Sequence, residues 1–167
     1  MTTLATVKLI YDYHYWRIGR LLNSCEMLTA QQWDQSFTPS WGSVHAVLTH
    51  MVASELIWRG RWNGVSAPAL MPAAEVPTFK DLRSKWALIE IELRDFIEQC
   101  DDARLAKDVT YTNTKGITHT LQLGALMIHV VDHATHHRGE LVAMLTMLDV
   151  PHPDDGMLGY LIEQSAK

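Results

Sequence analysis

Cysteine is scarce in this sequence: Cys25 and Cys100 stand far apart and form no Cys-x-x-Cys spacing. That excludes a disulfide framework and a thiolate zinc knuckle. Two buried, reduced thiols are expected, in keeping with a reducing cytoplasm. Long apolar runs are missing too. No stretch approaches the roughly 20 apolar residues that cross a bilayer. The opening "MTTLATVKLIYDYHYW" lacks the basic start and apolar run of a secretory signal. A soluble, cytoplasmic protein with no membrane partner is expected. Positive charge is in deficit: 14 Lys and Arg face 19 Asp and Glu, a net charge of −5. The basic residues are scattered, not gathered into the patch that phosphate backbones select, which argues against nucleic acid as a partner. No Gly-rich phosphate loop and no Gly-x-Ser-x-Gly elbow occur, so the usual marks of nucleotide binding and of α/β-hydrolase chemistry are absent.

What the chain has in surplus is histidine. Four of its nine fall in "HVVDHATHHRGE", residues 129–140. Such a run can be surface decoration, a purification tag, a pH switch or a metal site, and its place on an element decides. The 47% apolar and 20% charged content is that of a globular protein. Residues 1–167 have the size of one domain, with no internal repeat.

Helical spacing of Leu4, Val7, Ile10, Tyr11, His14, Ile18, Leu21, Leu22 and Cys25 predicts a first helix over about residues 3–28. Thr29 and Gln32 form a capping box for one short extra turn. Pro39 breaks the chain, and Ser40 or Ser43 caps a second helix through "VHAVLTHMVASELIWRGRW". "NGVSAPALMPAAEVP" reads as a long loop. Thr78 and Asp81 open a third helix, "FKDLRSKWALIEIELRDFIEQC". "DVTYTNTKGITHTLQL" alternates and turns at Lys115-Gly116, which predicts a short hairpin-like excursion. A fourth helix is expected over about residues 120–149, closed by Pro151. A short terminal helix capped by Asp154 or Asp155 follows. Four long amphipathic helices make an all-α, four-helix-bundle class the expectation, antiparallel or crossed.

Rotation about the fourth helix separates its histidines. At about 100° per residue with His133 at zero, the apolar stripe of Leu126, Val130, Leu141 and Met144 centres near about +70°, with His137 inside it at about +40°. His133 sits at the edge of the stripe, and His129 and His136 fall on the flank. Two inward histidines one turn apart bring their rings together, as helical zinc sites do. They need a third ligand from elsewhere. His50, mid-helix beside Val44, Val47, Met51 and Trp58, is the candidate. His-x-x-x-His also arises by chance, so it is the pair together with His50 that favours a metal. His129 is assigned a structural or orienting role, His136 faces solvent, and His45, His119 and His152 sit at element ends. His14 is read as a flank histidine or a pocket liner. Glu140 falls near His133 and either orients a ligand or is simply solvated.

"LTHMVASELIWRGR" followed by "MIHVVDHATHHRGEL" resembles the DinB/YfiT-like family. The opening "IYDYHYWRIGRLL", the entry "SWGSVHAVLTH" and the ending "MLTMLDVPHPDDGMLGYL" are similar to it as well, so the resemblance covers nearly the whole chain. It implies an up-down-down-up four-helix bundle, usually a homodimer. It also implies a divalent metal ion (zinc, nickel or iron) held by His50, His133 and His137. Characterised members include transferases and an isomerase that use low-molecular-weight thiols, which implies a small-molecule substrate, a thiol S-transfer and a stress or detoxification role. Hydrolysis and a metal-stabilised binding module remain the alternatives. Tyr11, His14, Trp41 and Trp58 are candidates for the pocket wall. Glu140 stands where the family more often has Gln, a change of charge beside the site.

Overall fold

The computed structural model describes residues 2–37, 42–154 and 156–167. Pro39, Ser40, Trp41 and Asp155 lie outside the described residues. The chain runs α1 (Leu4–Cys25), α2 (Ala30–Trp33), α3 (Val44–Trp62), a 3-10 turn (Ala73–Glu75), α4 (Phe79–Glu98), α5 (Asp102–Leu105), β1 (Asp108–Thr112), β2 (Thr118–Gln122), α6 (Leu123–Met147) and α7 (Met157–Ser165). The protein is mostly helical, with one small two-stranded sheet among the described residues.

Local chemistry sets the helix starts. The first backbone N–H groups of a helix have no internal partner, and a short polar side chain supplies one for about 1 kcal/mol. Thr29 with Gln32 and Thr78 with Asp81 form full capping boxes. Ser43 Oγ accepts from the Ala46 amide at 3.1 Å, so α3 has its cap among the described residues. Asp101 Oδ1 accepts from the Arg104 amide at 2.6 Å and opens α5, a turn the sequence reading did not anticipate. α6 ends in a Schellman motif: the Val150 amide donates to Leu145 O at 3.0 Å and the Asp149 amide to Thr146 O at 3.1 Å. Asp149 takes the left-handed conformation this requires, at φ 54°.

The four long helices pack in pairs, α1 against α4 and α6, and α3 against the same two. Leu21, Leu48, Leu82, Trp86, Leu93, Met127 and Leu141 are fully buried where they meet. No helix among the described residues is long and apolar enough to cross a membrane. Cys25 and Cys100 are buried and free, and burial pushes the Cys25 thiol up to about 12.

The excursion after α5 is a two-stranded antiparallel hairpin, with Tyr111 opposite His119. Gly116, at φ 78°, turns it. Tyr111 is buried against Trp58 of α3, 4.9 Å between ring centroids, while β2 is wholly exposed. Because residues 118–122 pair with 108–112, α6 begins at Leu123 and not near 120. The short terminal helix is present as α7, but Asp154 does not cap it. Gly156 holds the cap position with no side-chain bond. α7 rests on α1 through Tyr160, whose ring lies 5.5 Å from Trp16 and 5.9 Å from Tyr13.

Candidate metal centre

His50 is carried by α3, His133 and His137 by α6, and these two helices pack on each other. His133 Nε2 stands 3.1 Å from His50 Nε2 and 3.1 Å from His137 Nε2. The three rings lie 4.5 to 5.0 Å apart, and their ligand atoms fall within 4.8 Å of one another. His137 is buried; His50 and His133 are half-buried.

The protons show what this cluster suits. Glu140 Oε2 lies 2.7 Å from His137 Nδ1. A carboxylate accepts, so Nδ1 of the neutral ring carries the proton and Nε2 turns a lone pair toward the cluster. Two contacts then meet at His133 Nε2, and one ring proton cannot lie along both. A divalent cation among three lone pairs satisfies all of them. Ligands on a tetrahedral zinc at about 2.05 Å stand about 3.3 Å apart, so the two 3.1 Å contacts at His133 need little adjustment. Burial first, and then the neighbouring His137 and His133, lowers His50 from 6.5 to about 4. Burial followed by His137, His129 and His136 lowers His133 to about 4 as well. Both rings are therefore neutral at pH 7, the form that binds metal.

Glu140 orients His137, not the His133 that helical rotation placed nearest. Its carboxylate reaches back one turn to Nδ1, the kind of contact that fixes a ligand's tautomer. His136, His137 and Glu140 form a second compact group. There, however, His136 is 71% exposed and 3.6 Å from Glu140. His129 is exposed and meets Trp58 edge-on at 5.3 Å, so Trp58 stands beside the cluster. Arg61 stacks over Trp58 and Tyr111, at 4.5 and 4.9 Å. His45 bonds Asp34 and the Val76 carbonyl, His119 meets Asn113, and His152 meets Thr146, the ordinary roles expected at element ends.

His14 is neither a flank residue nor a cavity liner: it is 1% exposed. Arg138 Nη1 donates to its Nδ1 at 2.7 Å, and arginine is always a donor. The ring proton of neutral His14 must then sit on Nε2, which donates to Glu55 Oε1 at 2.9 Å. Tyr15 donates to the other Glu55 oxygen at 2.9 Å. Arg138, His14, Glu55 and Tyr15 thus form a buried chain tying α6, α1 and α3 together behind the cluster. Tyr11 is buried as well and donates to the Met127 carbonyl at 3.2 Å.

Residues 1–164 match the model of the DinB family. The chain is 26% identical over 144 residues to Protein DinB of Bacillus subtilis (strain 168), covering 81% of this chain and 82% of that protein. Its fold is similar to the crystal structure of a DinB-like protein from Bacillus cereus ATCC 10987, with a TM-score of 0.65 at 14% identity, covering 93% of this chain and 99% of that one. With a family match over nearly its whole length, the chain belongs to the DinB family.

Proposed function

We propose that this protein is a metal-dependent enzyme that joins a small thiol, intact and through its sulfur, to an electrophile: the thiol gives up its proton, a sulfur–carbon bond forms, and the electrophile takes the electron pair. Its metal is held by His50, His133 and His137. The observation that carries the reading is the convergence of three Nε2 atoms whose contacts a shared proton cannot satisfy. A divalent cation bound there stabilises a thiolate at neutral pH, so the nucleophile is available without a strong base. The chain's own residues supply the rest. Glu140 holds the Nδ1 proton of His137 and so keeps Nε2 turned inward. Trp58 and His129 wall one flank. The buried Arg138–His14–Glu55 chain fixes α6 relative to α3. Zinc, nickel and iron are all compatible with three imidazoles.

The same reading makes the architecture an up-down-down-up four-helix bundle, acting as a cytoplasmic homodimer. The pairing of α1 and α3 each with α4 and α6 supports the bundle. Light scattering tests the dimer: a monomer mass at micromolar concentration contradicts it.

The test of function is a reaction panel. The purified chain, loaded in turn with zinc, nickel and ferrous iron, is given low-molecular-weight thiols with electrophiles, and separately esters and amides. Metal-dependent thiol consumption that disappears in His50→Ala and His137→Ala is the expected result. Ester or amide turnover alone assigns a hydrolase. No metal-dependent turnover in either arm assigns a binding module.

A further inference from the structure

About half a turn round α6 from His133, a cavity of about 260 Å³ opens between α1, α6 and the segment leading into α7. Tyr13 and Arg17 line it from α1, and Thr135, Arg138 and Val142 from α6. Arg17 is 7% exposed and Arg138 is 4% exposed. Arg17 Nη1 donates to the Pro153 carbonyl at 2.9 Å. Arg138 donates to His14 and, through Nη2, to Thr135 Oγ1 at 2.5 Å. The Thr135 hydroxyl is itself committed, donating to the Val131 carbonyl at 2.9 Å.

Neither guanidinium forms an ion pair with a carboxylate among the described residues. Glu55 is reached only through His14. Asp154 lines the cavity, yet it is exposed and makes no such pair. Buried charges are ordinarily paired, and two like charges facing one cavity repel each other. Each guanidinium has five N–H donors, more than these contacts use.

We propose that this cavity is a binding site for a small oxyanion, anchored by Arg17 and Arg138. The planar forks of two arginines suit the paired oxygens of phosphate or carboxylate. The volume lies below the roughly 300–1,000 Å³ of drug-sized sites, which restricts the ligand to a small one. An anion placed between the two guanidiniums would offset their mutual repulsion. The site shares no residue with the three-histidine cluster, and Arg138 joins it to the buried chain behind that cluster.

The test follows the backbone amides of Gly139 and Gly156, which line the cavity, by NMR of the full chain at constant ionic strength. One titration uses inorganic phosphate and another uses acetate. Saturating shifts at these two glycines are expected. Arg17→Gln should weaken binding about tenfold, and Asp154→Asn, an exposed change that leaves the core intact, should tighten it. Saturation by phosphate alone assigns a phosphate-type ligand, and saturation by acetate as well assigns carboxylates too. The proposal is overturned if neither anion saturates the shifts by roughly 50 mM, if both variants bind as the parent does, or if the shifts are confined to the histidine cluster.

Discussion

Replacing Glu140 with Gln isolates what its charge does at the centre. The carboxylate accepts from His137 Nδ1 at 2.7 Å, and its side chain is 23% exposed. Gln keeps an oxygen in the same place and removes only the charge. A hydrogen bond to a charged group contributes about 1.5–3 kcal/mol and a neutral one about 1 kcal/mol. Partial exposure favours the lower end, so the difference is about 0.5–1 kcal/mol, a twofold to fivefold weakening of metal binding. Glu140→Ala removes the acceptor altogether and belongs in the 10- to 100-fold range seen when a ligand's supporting carboxylate is lost. Competition for zinc against a chromogenic chelator measures all three proteins, and circular dichroism confirms that the helices persist. The expected order of affinity is parent, Gln, then Ala. Three affinities within twofold of one another would refute the orienting role.

The buried chain behind the site gives a stability prediction: Glu55→Ala leaves the buried His14 and Tyr15 without the carboxylate both donate to, and losing two hydrogen bonds to a charged group should cost about 3–5 kcal/mol in urea unfolding. A loss under about 1 kcal/mol would show the network to be dispensable. The centre also predicts a pH dependence for the metal-free protein. His50 and His133 lie at about 4 when folded against 6.5 ordinarily, so between these values the unfolded chain binds more protons. Their contribution is complete above about 6.5 and is lost as pH falls toward about 4. Melting temperatures across that window should drop less in His133→Asn than in the parent, and equal drops would contradict the assignment.

Much of this could be read from the sequence because strong local signals agreed. Ser43, Thr29 and Thr78 mark helix starts by their own side chains, and Pro-rich composition marks the loop before α4. Rotation about α6 separated His133 and His137 from His129 and His136, since a long helix with one apolar stripe leaves little freedom. What was missed depended on contacts between helices. His14 lay within the periodic stripe of α1, yet its polarity suggested a flank position. Its burial depends on Arg138, about 70° from the centre of the α6 stripe on the side away from His133. Glu55 gave no such signal, because α3 is buried on nearly every side and no polar flank stands out. Glu140 was placed beside the wrong histidine because rotation gives direction but not reach, and a Glu side chain spans a full turn. The start of α6 was misplaced because "THTLQL" continues the apolar pattern while its backbone pairs with β1.

The central claim is that three histidines share one ion. Anomalous diffraction from crystals of the metal-loaded protein, collected at the metal's absorption edge, tests it most directly. One peak per chain about 2.0–2.1 Å from Nε2 of His50, His133 and His137 is the predicted result for zinc. A peak held by His136 and Glu140 instead, or none at the cluster in metal-loaded crystals, would contradict it.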